Sequence, residues 1–282
     1  MEQKIIDLFD RYTHGGMNRR DFLERLTLLA GSTAAATALL PALENNYAQA
    51  EVVPENDPDI VAETAEIAPG IKGYLVRPKA AGTYPVVLVI HENRGLNPHI
   101  KDVTRRMAKE GFIAFGADYL TPLGGTPADE EKAREMFKEL KPEEVVAFSR
   151  AAAAALAKID GGNGKVGAVG FCWGGGAVNA LAVTGDPNLK AGVAYYGMQP
   201  KDGVANIAAP LMLHYASLDE RINAGIKDYE AALKADGKAF EAFVYDGVNH
   251  AFNNDTNAAR YNKAAADLAW GRTVGFFRKY LA

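Results

Sequence analysis

Cysteine is almost absent from this chain: 282 residues contain one, Cys172. No disulfide can form within it, and no second thiol is present to resolve a sulfenic acid, so chemistry at Cys172 is that of a lone thiol. An excess of positive charge is also missing. Lys and Arg number 31 against 35 Asp and Glu, a net of −4, and no dense basic cluster occurs beyond the first fifty residues, which argues against nucleic acid as a partner. Strongly apolar runs of membrane-spanning length are lacking too. The best candidate, residues 21–43, is rich in alanine and interrupted by Ser32, Thr33 and Thr37, which leaves it weakly apolar for a stable span. The single G-x-G-x-x-G, Gly162–Gly167, precedes a strand-type run instead of following one, so no nicotinamide or flavin cofactor is expected. His91-Glu92 does not extend to H-E-x-x-H, because position 95 is Gly95, and no metal is expected either.

What is present is a large apolar fraction, 48%, enough to bury the core of one α/β domain of about 230 residues behind a leader. Apolar runs of strand type fall at 73–77, 85–90, 112–116, 166–169, 191–196, 210–215 and 240–245. Helical patterns lie at 101–110, 129–140, 143–158, 175–183, 222–236 and 258–280. This alternation implies an α/β fold with a mostly parallel central sheet and helices on both faces. Residues 1–50 read as a leader, 51–70 as a linker or edge segment, and 71–282 as the α/β domain.

The most informative stretch is Lys165–Gly176, KVGAVGFCWGGG. A short strand runs into Gly170-Phe171-Cys172-Trp173-Gly174 and then into a small-residue helix, the pattern of a nucleophile elbow. There the backbone of the central residue is strained, and the positions two before and two after must be small. A thiol at that apex lies near the positive end of the following helix, which favours thiolate. Functional groups of a parallel sheet gather at the carboxyl ends of its strands. Two such ends carry Asp219 and His250, so the order Cys172, Asp219, His250 is the nucleophile–acid–base order of an α/β hydrolase. Asp219 also has the place of a cap for the helix near Ile222. His99 reads as a residue of a polar loop, His214 falls in a strand, and His14 falls in the leader.

These residues resemble the dienelactone hydrolases, or carboxymethylenebutenolidases, from about Gly73 to the C-terminus. The resemblance implies a Cys172–His250–Asp219 triad, an α/β-hydrolase fold, and hydrolysis of small-molecule lactones or esters through an acyl-enzyme without a cofactor. It also implies that Glu92 contacts the resting thiol and that the backbone N–H groups of Asn93 and Trp173 form the oxyanion hole. Two arginines that hold the substrate carboxylate in the family are absent: Asp118-Tyr119-Leu120-Thr121-Pro122 carries none, and Asn254 stands four residues after His250. Arg94 and Arg221 are the candidates to replace them.

Separately, Asn18-Arg19-Arg20-Asp21-Phe22-Leu23, the alanine-rich run to Leu43 and Ala48-Gln49-Ala50 resemble a twin-arginine export signal. That implies recognition by the twin-arginine machinery and a periplasmic location. The leader would be cleaved after Ala50 or retained as a membrane anchor. Two other classes remain open for Cys172, a peroxide-reactive thiol and a non-catalytic ligand-binding protein on a hydrolase scaffold.

Overall fold

The computed structural model describes residues 1–47 and 50–282. Eight strands form one sheet in the order β1 (Ile60–Ala68), β2 (Ile71–Pro78), β4 (Ile113–Ala117), β3 (Tyr84–Ile90), β5 (Gly162–Phe171), β6 (Leu189–Tyr195), β7 (Leu211–Ala216), β8 (Phe240–Tyr245). The pairs from β4 through β3 to β8 are parallel, whereas β1 and β2 run antiparallel at one edge. Within the segment expected as linker or edge, residues Ile60–Ala68 form the edge strand β1. Its polar, acidic sequence suits a position with one side open to water.

Strand β3 explains the layering. Val86, Leu88 and Ile90 point into one core and Val87 and Val89 into the other, all fully buried. The first core is closed by α6 (Pro142–Leu156), α7 (Trp173–Ala182) and α9 (Ile226–Ala235). The second is closed by α4 (Pro98–Lys109) and α10 (Lys263–Leu281). An uninterrupted apolar run was therefore the right signature for a strand covered on both faces. Two shorter helices complete the set, α5 (Glu130–Met136) and α8 (Glu220–Asn223). His99, expected on a loop, lies in the first turn of α4, buried and 3.3 Å from Asp255.

The first 47 residues fold into α1 (Gln3–Thr13), α2 (Arg19–Ala30) and α3 (Thr33–Leu43). Side-chain caps from Asn18 and Ser32 start α2 and α3. Ile5, Leu8, Phe9 and Tyr12 of α1 pack on Phe22, Leu26 and Leu43 and reach Ala259 of the α/β domain. The backbone is tied down as well: Asn46 N–H donates to Thr256 O at 2.8 Å, and Ala259 N–H to Ala42 O at 3.1 Å. Among the described residues no single helix is long and apolar enough to cross a membrane, and α2 and α3 are bent by 113° at their break. Ala48 and Gln49 of the small-x-small motif lie outside the described residues.

Two glycines test how the elbow is packed. A Cβ on Gly170 would stand 2.0 Å from Gly174 O, whereas one on Gly275, on the exposed face of α10, meets nothing within 4 Å. Gly170→Ala is expected to destabilise the fold by about 3 kcal/mol or to prevent folding. Gly275→Ala is expected to stabilise it by about 0.5–1 kcal/mol. Urea midpoints of the two variants check both signs.

Candidate active site

Cys172 sits between β5 and α7 with φ 55° and ψ −112°, a backbone region that side chains other than glycine rarely adopt. The flanking glycines make this conformation fit. Gly170 abuts Gly174, and Gly174 abuts the carbonyls of Ile90 and His91 so closely that a Cβ would stand 2.4 Å from Ile90 O. Cys172 N–H donates to Tyr195 O at 3.0 Å, and its sulfur makes no cap hydrogen bond to α7. Two other non-glycine residues with positive φ, Tyr196 at 38° and Ala251 at 64°, flank the same site. Backbone strain is thus concentrated around the thiol.

The carboxyl ends of β7 and β8 deliver the other two members. Asp219 Oδ2 lies 2.5 Å from His250 Nδ1, both side chains buried. Asp219 Oδ1 accepts from Ile222 N–H at 3.2 Å, so one carboxylate caps α8 and holds the histidine. Burial alone would raise the Asp219 carboxyl, but the charge and hydrogen bond of His250, with Arg221, outweigh it and hold it below the usual range. Burial alone would lower His250. The negative charges of Cys172, Asp219 and Asp10 outweigh that and hold its imidazole up at about 9. His250 Nε2 is buried and has no hydrogen-bond partner among the described residues.

The sulfur has a different partner. His14 Nε2, from the residue that ends α1, lies 3.2 Å from Cys172 Sγ. The rings of His14 and His250 meet edge to face, with centroids 4.7 Å apart. Glu92, expected against the thiol, borders the same water-sized chamber as Cys172 and His250, yet its Oε2 accepts from Asn254 Nδ2 at 2.9 Å. The residue standing where the family arginine was expected therefore anchors Glu92. The imidazole of His14 takes the contact expected of Glu92.

Asn93 and Trp173 flank the sulfur from the end of β3 and the start of α7. Neither backbone N–H has a hydrogen-bond partner among the described residues. The Asn93 side chain donates to Thr13 O at 2.8 Å, which ties α1 to the loop after β3. Sequence reasoning missed His14 and Tyr196. Tyr196 follows β6 directly and packs its ring 4.9 Å from that of His250, so its strand-end position was the available signal.

Beyond the thiol opens a cavity of about 1110 Å³, lined by apolar Phe137, Leu140, Val145, Trp173 and Met198 and by Arg134 and Arg221. Of the two arginines proposed as replacements, Arg221 borders this cavity. Arg94 is buried on the chamber side, with Nε 3.0 Å from Glu130 Oε2. His91 is structural: its Nε2 accepts from Tyr119 N–H at 3.2 Å, and its ring stacks on Trp173. His214 is buried in β7, where burial and the charge of Arg272 push it down to about 3.

Among the described residues, the one grouping with metal-donor spacing is His14, Cys172 and His250, whose donor atoms lie within 4.8 Å of one another. Within it, His14 Nε2 contacts Cys172 Sγ directly at 3.2 Å.

Sheet order, elbow and strand-end residues define an α/β hydrolase. A family model described as "Dienelactone hydrolase family" matches residues 71–281, and one described as "YqhI-like" matches residues 1–31. A protein of Methylorubrum extorquens named "Putative carboxymethylenebutenolidase" is 32% identical over 92% of this chain and 94% of its own length. A protein of Escherichia coli K12 with the same name is 32% identical over 73% and 82%. The crystal structure of a "Putative Dienelactone Hydrolase" from Klebsiella pneumoniae superposes with a TM-score of 0.69 at 31% identity, covering 78% of this chain and 99% of that one. The chain belongs to the dienelactone hydrolase family and is a hydrolase of the ester and lactone bond class.

The lowered Asp219 carboxyl has a consequence for stability. Because its folded value lies below its unfolded one, its contribution is fully present above about pH 4 and is lost as the pH falls further. Asp219→Asn is expected to lower stability at pH 7 and to flatten the acid-side decline. Urea unfolding of both proteins at pH 7 and pH 3 checks this.

Proposed function

We propose that the protein hydrolyses lactones or small esters with Cys172 as nucleophile, His250 as proton shuttle and Asp219 as the residue that orients it. The observation that carries this reading is the sulfur at a strained apex beside a buried imidazole whose Nδ1 is held by a carboxylate and whose Nε2 is free. The proton of Cys172 passes to a neighbouring imidazole, which becomes the imidazolium, and the thiolate attacks the carbonyl carbon; a C–S bond forms and the π pair moves to oxygen. The N–H groups of Asn93 and Trp173 receive that oxyanion, each worth about 3 kcal/mol in the transition state. Collapse expels the alkoxide, which takes a proton from an imidazolium. Water then attacks the thioester as His250 accepts its proton, and the acid and the thiolate are released.

The substrate class rests on the family and on the cavity. Its apolar wall suits an uncharged or weakly polar acyl group. With both family arginines absent, the cations lining the cavity are Arg19, Arg134, Lys138 and Arg221, and of these Arg134 and Lys138 are paired with Glu131 and Glu135, which leaves Arg19 and Arg221 to meet a substrate carboxylate. We also propose that Arg19-Arg20, exposed at the start of α2, act as an export signal to the periplasm.

Intact-mass spectrometry after brief exposure to p-nitrophenyl acetate tests the chemistry. Wild type is expected to carry one acetyl group on Cys172. Cys172→Ser and His250→Ala are expected to lose turnover by about 10³-fold or more. No adduct and no turnover across several esters and lactones would sink the nucleophile assignment in favour of a redox or binding protein. For export, fractionation of cells making the wild type or the Arg19→Lys, Arg20→Lys double variant is the check, with periplasmic protein expected only from the first.

A further inference from the structure

The fold brings a second histidine–aspartate pair onto the nucleophile from the opposite end of the chain. His14 Nδ1 lies 2.8 Å from the main-chain oxygen of Asp10 and 3.2 Å from its carboxylate Oδ1. Asp10 is itself held ionised. Burial would raise its carboxyl, but His250, His14 and Arg260 outweigh that and keep it well below the usual range. A third neighbour, Thr13 Oγ1 at 3.4 Å, gives its hydrogen to Asp10 O at 3.0 Å, so none of the three has a proton for Nδ1; Nδ1 carries the ring hydrogen and Nε2 presents a lone pair. That lone pair points at Cys172 Sγ, 3.2 Å away. His250 is arranged in the same way, with its Nδ1 on Asp219, but its Nε2 has no partner. Of the two imidazoles beside Cys172, His14 is the one in contact with the sulfur, while His250, held up at about 9 by the negative charge around it, is the poorer proton acceptor at neutral pH.

We infer that His14, oriented by Asp10, is a catalytic base of this enzyme: it takes the proton of Cys172 as the thiolate forms. The S–H bond breaks, its electron pair stays on sulfur, and the proton passes to His14 Nε2. The resulting imidazolium returns that proton to the departing alkoxide when the tetrahedral adduct collapses. Acylation removes the thiolate charge that most strongly holds His250 up, which frees its Nε2 to take the proton of the water that attacks the thioester. The two half-reactions have separate bases.

The setting supports the charge this requires. An imidazolium at His14 faces the carboxylate of Asp10 on its own helix and the new thiolate at the elbow. Of the nearby cations, Arg94 is paired with Glu130, whereas Arg260, 3.7 Å from Asp10 Oδ1, and Arg221, 4.0 Å from Asp10 Oδ2, share the Asp10 carboxylate with His14, and the His250 ring lies 4.7 Å from that of His14. The dienelactone hydrolase match begins at residue 71, whereas His14 lies in residues 1–31, which match a separate family model. The base is carried by the N-terminal segment, outside the dienelactone hydrolase match.

The inference rests on Cys172 being the nucleophile, and the test separates the two. With the full chain, the rate of Cys172 alkylation by iodoacetamide and of acetyl transfer from p-nitrophenyl acetate is measured at pH 7. His14→Ala is expected to slow both by about 10- to 100-fold, with partial recovery when imidazole is added. Asp10→Asn, a positioning change, is expected to slow them less. His250→Ala is expected to retain acetylation and accumulate the adduct, and the His14→Ala, His250→Ala double variant to lose acetylation. His14→Gln keeps the size of the side chain without a basic nitrogen and is expected to match His14→Ala, should the alanine variant fold poorly. Alkylation in both His14 variants as fast as or faster than wild type would overturn the inference, making His14 a shield and not a base. Absence of any acetyl adduct in wild type would overturn the nucleophile reading and this inference together.

Discussion

The close approach of β5 and α7 at the elbow is the constraint on which the rest of the site depends. It fixes the thiol in a backbone conformation that costs energy, and it does so by removing every side chain that would hold strand and helix apart. Once Cys172 is there, the parallel order of β5, β6, β7 and β8 determines where partners can come from. Each following strand ends on the same side of the sheet, so the loops after β7 and β8 reach the sulfur without long excursions. The same geometry explains why the other strained residues, Tyr196 and Ala251, are neighbours of this site.

Electrostatics at the site follow from burial. Cys172, Asp219, His250 and Asp10 are removed from water together, and none of their charges is tolerable alone. The buried imidazole of His250 stays basic because three negative groups surround it. His214, equally buried but beside Arg272, is driven the other way. Two histidines of one sheet thus differ because of what surrounds them. Position along the strand also matters: His214 lies within β7, and His250 lies past the end of β8.

Much of this was legible in the sequence because it is local. Apolar runs without interruption marked β3 to β7, glycines two residues either side of Cys172 marked the elbow, and polar residues directly after strands marked Asp219 and His250. What was not legible depends on contacts far apart in the chain. His14 stands 158 positions from Cys172 in a segment whose arginines and alanines read as a leader, and nothing in its surroundings marks it as part of a site. Glu92 follows β3, but the partner of its carboxylate is Asn254, not the thiol, and the sequence showed Asn254 only as a missing arginine. His99 was misplaced because Asn97 and Pro98 were read as loop. They are the cap and first residue of α4, which is where those two residue types commonly stand.

The docking of α1 against residues made near the end of the chain sets an order of events during synthesis. Helix α1 is among the first parts to be made, while Asn249, His250, Thr256 and Arg260, which receive it or its neighbours, are made among the last. At a synthesis rate of about 5–20 residues per second, the N-terminal segment waits on the order of tens of seconds for its seat. Through that interval its exposed arginines and apolar face are open to whatever machinery meets a nascent chain. Afterwards residues 12–19 line the cavity beside Cys172. On the roles proposed for Arg19-Arg20 and His14, capture of the segment by another factor and completion of the site would be competing fates of one stretch of polypeptide, decided by which partner reaches it first.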